Sequence, residues 1–279
     1  METEIIESFL ESGDTQLADF YSVVRKTMID VYWLRQQTQS AHAHEKTRFY
    51  ILKTGDEIHG SAGLIPYTFV HGIEIITGWQ IVLLNFTPEF STKENVRQLI
   101  HTAEQNLNPD FMFYFEDAHA PDFISTKPGF HEIPFRQAFI NKDLLHLVVN
   151  KHAQKQNSHG AGIWVAAHSL ETKWKNNDPV ILNLDWNTHS GKFILKEKTL
   201  LAGHLEFPLH PDLCGFFEFI LAKTNADQLI IQASAQHPVW KFLRLGSEVK
   251  KHLFVNISQK HSDIHLSEFE VMEGINFGF

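Results

Sequence analysis

The chain has 279 residues, a formal net charge of −9, and 43% hydrophobic against 20% charged residues. That length suits two domains of ordinary size, and the apolar share suits packed cores rather than disorder. Lys250 and Lys251 form the only dense basic cluster, which argues against nucleic acid as a partner because such interfaces draw on grouped Lys and Arg.

The opening residues carry Glu2, Glu4 and Glu7 among their apolar positions, the opposite of a basic and apolar signal peptide, so a cytoplasmic location is expected. Leu17, Phe20, Tyr21, Val24, Met28 and Val31 recur at helical spacing after a candidate N-cap at Asp14. The pattern then turns to strand over 49–53, 58–70, 73–76 and 80–86, with turns at Gly55-Asp56 and His71-Gly72, which reads as an antiparallel meander. Residues 91–106 are helical, with Val96, Leu99, Ile100 and Ala103 on one face. Residues 111–116 form a short apolar strand, and a turn opened by Pro121 and closed by Gly129 leads to a strand over 133–140.

The polar stretch 151–162, rich in Gln, Asn and Ser, is the best linker, so two domains are expected at 1–150 and 163–279. Strands follow at 163–167, 180–186, 192–196 and 204–209, then a helix over 212–223. Cys214, the single cysteine, excludes an intramolecular disulfide and points to a reducing compartment. No apolar run approaches the roughly 20 residues of a membrane helix, so no membrane is expected as a partner.

A constant offset relates the two halves. Glu89-Phe90 and Glu206-Phe207, Asp110 and Asp227, Ala118 and Ala235, Pro121 and Pro238, and Gly129 and Gly246 each stand 117 residues apart. In both halves the order is helix, aspartate, apolar strand, Ala-x-x-Pro turn, glycine, apolar strand. Any α/β chain offers some of these intervals by chance, but here order and spacing agree.

Residues 49–140 carry a family likeness. Phe49-Tyr50-Ile51-Leu52, Gly60, Gly63, Pro66 and Gly72, then Phe86-Thr87-Pro88-Glu89-Phe90 and finally Pro128-Gly129-Phe130, resemble the GNAT acyltransferase superfamily; the second half resembles it over 204–258. The resemblance implies an α/β chain built on a mixed sheet, as two tandem GNAT-like folds. It implies acyl transfer from acetyl-CoA or another acyl-CoA to the amine of a small-molecule acceptor, without a metal. The coenzyme's diphosphate would lie on backbone amides at the start of the helix after Glu89, where the dipole favours an anion. Phe86, Thr87, Ser91, Lys93, Asn95 and Arg97 are the candidate cofactor-binding residues.

The loop departs from the family pattern, because Glu94 and Val96 fill positions kept for small residues. Ser91 and Glu94 also have the spacing of a capping box, which would occupy the amides from within. In the second half, Pro208 and Pro211 remove two amides and no glycine is present. The family's frequent tyrosine before the final glycine is replaced by Ser125 and Phe242.

For chemistry, Glu116 and Asp117 at the end of a strand are the candidate bases and Tyr114 the candidate acid, although strand-end carboxylates also serve as solvated turn caps. His42 and His44 have the spacing of two metal ligands, but no third stands near them, and His119, His131, His159 and His168 are dispersed. No Gly-x-Ser-x-Gly elbow occurs. The aromatic runs Phe111, Phe113, Tyr114, Phe115 and Phe216, Phe217, Phe219 read as core. The competing function is a non-catalytic binding protein that keeps the fold and uses the vacated cleft.

Overall fold

The computed structural model describes residues 3–9, 15–38, 46–117, 129–150, 163–165, 180–208, 211–244, 248–258, 264–266 and 269. Strand β1 (Glu4–Ser8) is followed by α1 (Thr15–Arg25), α2 (Val31–Gln37), β2 (Arg48–Thr54), β3 (Glu57–His71) and β4 (Glu74–Phe86). A 3-10 turn over Pro88–Phe90 leads into α3 (Lys93–Leu107), β5 (Phe111–Asp117), β6 (His131–Asn141) and the short α4 (Leu145–Val148). Then come β7 (Ile163–Val165), β8 (Val180–Trp186), β9 (His189–Lys196), β10 (Thr199–Glu206), α5 (Leu213–Thr224), β11 (Gln228–Ser234) and β12 (Glu248–Ile257).

The strands join in one mixed sheet, ordered β1-β2-β3-β4-β5-β12-β6-β11-β10-β9-β8, with β7 beside β3. Two parallel pairs stand out. β4 pairs with β5 only over Gly78–Gln80 and Phe111–Phe113, and β10 pairs with β11 over Thr199–Ala202 and Gln228–Ile231. The strands between them are exchanged: β12, from the end of the chain, lies between β5 and β6, while β6 reaches across to β11. The sheet is therefore continuous through both expected domains. Residues 151–162, expected as the linker, and the Pro121 turn lie outside the described residues.

Alternation along the strands sorts the core into two faces. Tyr50 and Leu52 of β2 pack with Val96, Leu99, Ile100 and Ala103 of α3, whereas Phe49 and Ile51 turn to Leu17, Phe20, Tyr21 and Leu34 of α1 and α2. Phe111 and Phe113 join Tyr67, Phe69, Phe135, Leu253 and Ile194, so strands from both halves share that cluster. Phe216 and Phe217 of α5 pack on β6, β10 and β11. Pro66 interrupts β3 without harm because it falls between the last β2 partner, at Leu64, and the first β7 partner, at Phe69, where β3 has one neighbour.

The structure revises several expectations. The helix expected to run on through Met28 and Val31 ends at Arg25. Lys26 takes a left-handed φ of 53°, and Asp30 starts a new helix by accepting from the Trp33 amide at 2.7 Å. Met28, placed by periodicity on the buried face, is 96% exposed. Strands expected at 73–76 and 80–86 are one strand, β4, because Gly78 keeps the ladder continuous. β1 was not foreseen; Arg48 holds it by an ion pair with Glu7 at 2.9 Å, and the Tyr50 hydroxyl donates to the same carboxylate at 3.0 Å.

Gly78 marks a close approach in the sheet. A Cβ there would stand 2.5 Å from Cζ of Phe111 and 2.6 Å from Cε2 of Phe69. Gly78→Val is expected to lower stability by about 1–3 kcal/mol, read as a lower urea midpoint at unchanged m-value.

Candidate functional site

The site follows from where β4 leaves β5. Beyond Gln80 the two strands have no further pairing, so the backbones of residues 81–86 and 114–117 part and bound the candidate opening. The cause lies in β4 itself. Its register against β3 shifts between Gly63↔Val82 and Ser61↔Asn85, and Leu83 sits in the bulge at a φ of 52°. Such a backbone is strained for a branched residue and persists only when its surroundings hold it. Tyr21 of α1, fully buried, donates its hydroxyl to the Leu83 carbonyl at 2.7 Å. Burial pushes the phenol above its ordinary range, with the Ser61 hydroxyl beside it and Arg25 pulling the other way. Ser61 lies outside hydrogen-bond geometry, so the Leu83 carbonyl is what fixes the phenol.

The other edge of the site is the turn from β4 into α3. The Thr87 amide donates to the His59 carbonyl at 2.8 Å, and the His59 ring stacks on Phe90 with centroids 3.9 Å apart. Phe86 lies over Gly60, whose absent Cβ would fall 2.3 Å from Cδ1 of that ring. The capping box expected at Ser91 and Glu94 is not formed there. Thr92 is the cap: its Oγ1 accepts from the Asn95 amide at 3.2 Å, and Asn95 Nδ2 returns to the Phe90 carbonyl at 2.8 Å. The Thr92 amide donates to Phe90 and the Val96 amide to Thr92. Helix geometry then leaves the amides of Lys93 and Glu94 as the first-turn donors the cap does not take up.

The sequence-predicted residues divide accordingly. Phe86, Thr87, Ser91, Lys93, Asn95 and Arg97 all lie on the turn or the first turn of α3, with Lys93, Glu94 and Arg97 exposed. Asn95 is spent on the cap. Val96 faces the core at 3% exposure, so it does not fill the turn as its place in the loop pattern implied. Tyr114 sits on the α3 face at 5% exposure, stacked on Phe254 and edge-on to Phe130. The backbones of Glu116 and Asp117 lie three and four residues beyond the last β5 residue paired to β4; their side chains are outside the described residues. His42, His44, His119, His159, His168 and Ser125 also lie outside, and Phe242 is buried after Pro238. Among the described residues no group of three His, Cys, Asp or Glu side chains is gathered as a metal site, and no helix is long and apolar enough to cross a membrane.

Sequence reasoning missed the bulge and its tyrosine. The signal was thin: Tyr21 fits the apolar face of α1 like any core aromatic, and nothing local marks Leu83 as left-handed. The offset of 117 residues also needs correction at one point. Glu89 lies in the 3-10 turn after β4, whereas Glu206 is the last residue of β10, so these two are not equivalent. Asp110 and Asp227 do occupy matching places ahead of β5 and β11; Asp110 accepts from the Thr77 amide at 2.6 Å and the Asp227 amide donates to the Lys198 carbonyl at 2.8 Å.

The second parallel pair has its own bulge, between Ala202 and His204. Beyond it, His204 Nε2 lies 2.9 Å from Glu206 Oε1 and the Ser190 hydroxyl donates to Oε2 at 3.1 Å. The contact with His204 holds the Glu206 carboxyl down to about 2, aided by Ser190 and Lys192 and opposed by partial burial.

Solved structures with this architecture are numerous, and two describe it well. The GCN5-related N-acetyltransferase from Kribbella flavida superposes with a TM-score of 0.62 at 12% identity, over 92% of this chain and 71% of that one. The GCN5-related N-acetyltransferase from Anabaena variabilis gives 0.61 at 12% identity, over 92% and 74%. Eis1 from Mycobacterium abscessus gives 0.53 at 10% identity, over 93% and 75%. No family model matches the sequence, and no curated protein matches it. The chain thus has a GNAT-like fold, a mixed α/β architecture on one large sheet, at an identity that shows the fold alone.

Two outcomes follow from the geometry. Tyr21→Phe removes the donor to the half-buried Leu83 carbonyl and is expected to cost about 1 kcal/mol in chemical unfolding. Glu206, whose folded pKa is depressed, contributes stability that is complete above its ordinary value and fades as pH falls toward about 2. Glu206→Gln is expected to flatten that acid limb in a pH series of thermal melts.

Proposed function

We propose that the protein is an acyltransferase of the GNAT type that uses the opening between β4 and β5, moving an acyl group from acyl-CoA to the amine of a small acceptor. The observation that carries this reading is the pair of first-turn amides, Lys93 and Glu94, left over once Thr92 caps α3 at the mouth of that opening. They are the donors an anionic diphosphate requires, and the helix dipole favours it there. The fit is imperfect on one count: the Glu94 carboxylate stands beside its own amide and repels a second anion by about 1 kcal/mol in water. Lys93 and Arg97, both exposed on that turn, oppose it.

In this reading the amides of Lys93 and Glu94 hold the diphosphate, with the Lys93 and Arg97 side chains adding charge. Residues 81–86 and Tyr114 wall the acyl-carrying arm. Acyl-CoA supplies an activated thioester carbonyl. Glu116 or Asp117, on the diverging end of β5, takes the proton of the acceptor ammonium so that the amine lone pair can attack. Tyr114, packed between Phe130 and Phe254, is too enclosed to serve as the first choice of acid, and solvent protonation of the thiolate is the simpler route. The two halves are proposed as tandem units, an arrangement supported by their matching bulged strands and parallel pairs. A cytoplasmic location accords with the single cysteine.

The alternative, a protein that binds without catalysis, draws support from the same Glu94 carboxylate and from the Asn95 side chain committed to the cap. A thermal-shift titration with acetyl-CoA separates the two. Ligand at a hundred times its dissociation constant adds about 2.7 kcal/mol, and a flat melting temperature at millimolar acetyl-CoA rejects the coenzyme reading. Glu94→Gln is expected to tighten acetyl-CoA about fivefold by removing that repulsion, measured by calorimetry.

A further inference from the structure

Strand β12 comes from the far end of the chain and pairs along all of β5, so it brings residues of the second half to the border of the opening. The register is antiparallel and unbroken from Ile257↔Phe111 to Lys251↔Asp117. Side chains bear it out midway. Phe254 and Tyr114, partners in this register, stack with ring centroids 4.8 Å apart and planes 9° from parallel. Leu253 and Phe115, the next pair, join the cluster on the opposite face with Phe113 and Phe135. Alternation then fixes the last two pairs. His252 stands opposite Glu116 on the face of Tyr114 and Phe254, and Lys251 stands opposite Asp117 on the other face. Directly opposed residues of antiparallel strands have Cβ atoms about 4.5–5.5 Å apart. Each candidate base thus has a basic residue from the second half as its cross-strand partner.

The two partners differ in what they do to a carboxylate. Lysine is cationic throughout the neutral range, and a fixed positive charge opposite Asp117 favours its ionised form and makes it a weak proton acceptor. Histidine changes charge near neutral pH, so the partner of Glu116 can itself take up and release a proton. Other charges reach that face from two elements. On β6, Pro134 pairs with His252, and the exposed Glu132 and Arg136 fall on the same face, two residues to either side of it. Helix α3 brings Glu104 to β12 at Asn256, whose Nδ2 donates to Oε1 at 2.9 Å, four residues along from His252. Among the described residues, Glu116 is the carboxylate in direct register with the histidine.

We propose that Glu116, rather than Asp117, is the base of the acyl transfer, and that His252 is its positioning partner, receiving through Glu116 the proton taken from the acceptor ammonium. This rests on the acyltransferase reading of the opening. The proton leaves the ammonium nitrogen for a Glu116 carboxylate oxygen and passes to an imidazole nitrogen of His252, which releases it to solvent. Glu116 is returned ionised, and the amine keeps the lone pair that attacks. Asp117, opposite Lys251, stays ionised and takes no proton. The first half of the chain supplies the base and the second half supplies its partner, so the site is incomplete until β12 is in place.

Histidine titration followed by NMR on the full-length protein tests the couple, with the His252 signal assigned by its loss in His252→Gln. In Glu116→Gln the His252 midpoint is expected to fall by about half a pH unit or more, roughly threefold in proton affinity, because a neighbouring carboxylate stabilises the imidazolium. In Asp117→Asn it is expected to stay at the wild-type value. An unchanged midpoint in Glu116→Gln overturns the proposal, as does an equal fall in Asp117→Asn. Should Glu116→Gln fail to fold, the wild type decides: its Glu116 carboxyl carbon is expected to show a second step at the His252 midpoint, and a curve without that step overturns the proposal. These titrations need no coenzyme, so they can reject the couple and leave the acyltransferase reading standing. A flat melting temperature with acetyl-CoA rejects that reading, and the assignment of the base with it, whatever the titrations give.

Discussion

The structure turns on a single main-chain carbonyl. Leu83 is held in a left-handed conformation inside β4, and the buried hydroxyl of Tyr21 meets its oxygen. That bond helps hold the strained residue in the bulge, which follows the last β4 residue paired to β5, Gln80. The opening, the turn at Thr87 and the orientation of α3 all lie downstream of this bulge. Helix α1 is therefore part of the site although it contributes no atom to its walls.

The first turn of α3 shows how one residue of register changes a functional argument. A cap at Ser91 closed by Glu94 would leave the spare donors one residue earlier, at Thr92 and Lys93. The observed cap uses Thr92 and Asn95, and it moves the spare donors to Lys93 and Glu94. Val96 faces the core with Leu99, Ile100 and Ala103, as their shared helical spacing implied. The acidic side chain at Glu94 and the Asn95 side chain spent on the cap then weigh against a bound diphosphate.

Much of this was legible in the chain. The meander, the helix after Glu89, the apolar strand at Phe111 and the order of elements in the second half all follow from periodicity, because one buried face leaves a strong trace in sequence. What was not legible depended on contacts between distant residues. Met28 fits a helical stripe, yet Lys26 ends the helix before it. The exchange of β6 and β12 leaves no local trace, since each strand has the same alternation whichever neighbour it finds. The candidate bases Glu116 and Asp117 were placed by strand-end position, and their backbones do lie on the diverging segment of β5.

That exchange has a consequence for how the chain is made. Strands β5 and β6 are synthesised early, but the strand that fills the gap between them comes from residues 248–257. Until those residues leave the ribosome, a nascent chain carries Phe111, Phe113 and Phe135 on two naked strand borders, the kind of surface that sticks to its neighbours. Closure needs partners well over a hundred residues apart, so assembly should be slow and late. A premature stop anywhere before β12 would thus cripple the front of the molecule as well as the back, and ribosome-associated chaperones have a defined interval in which they are needed.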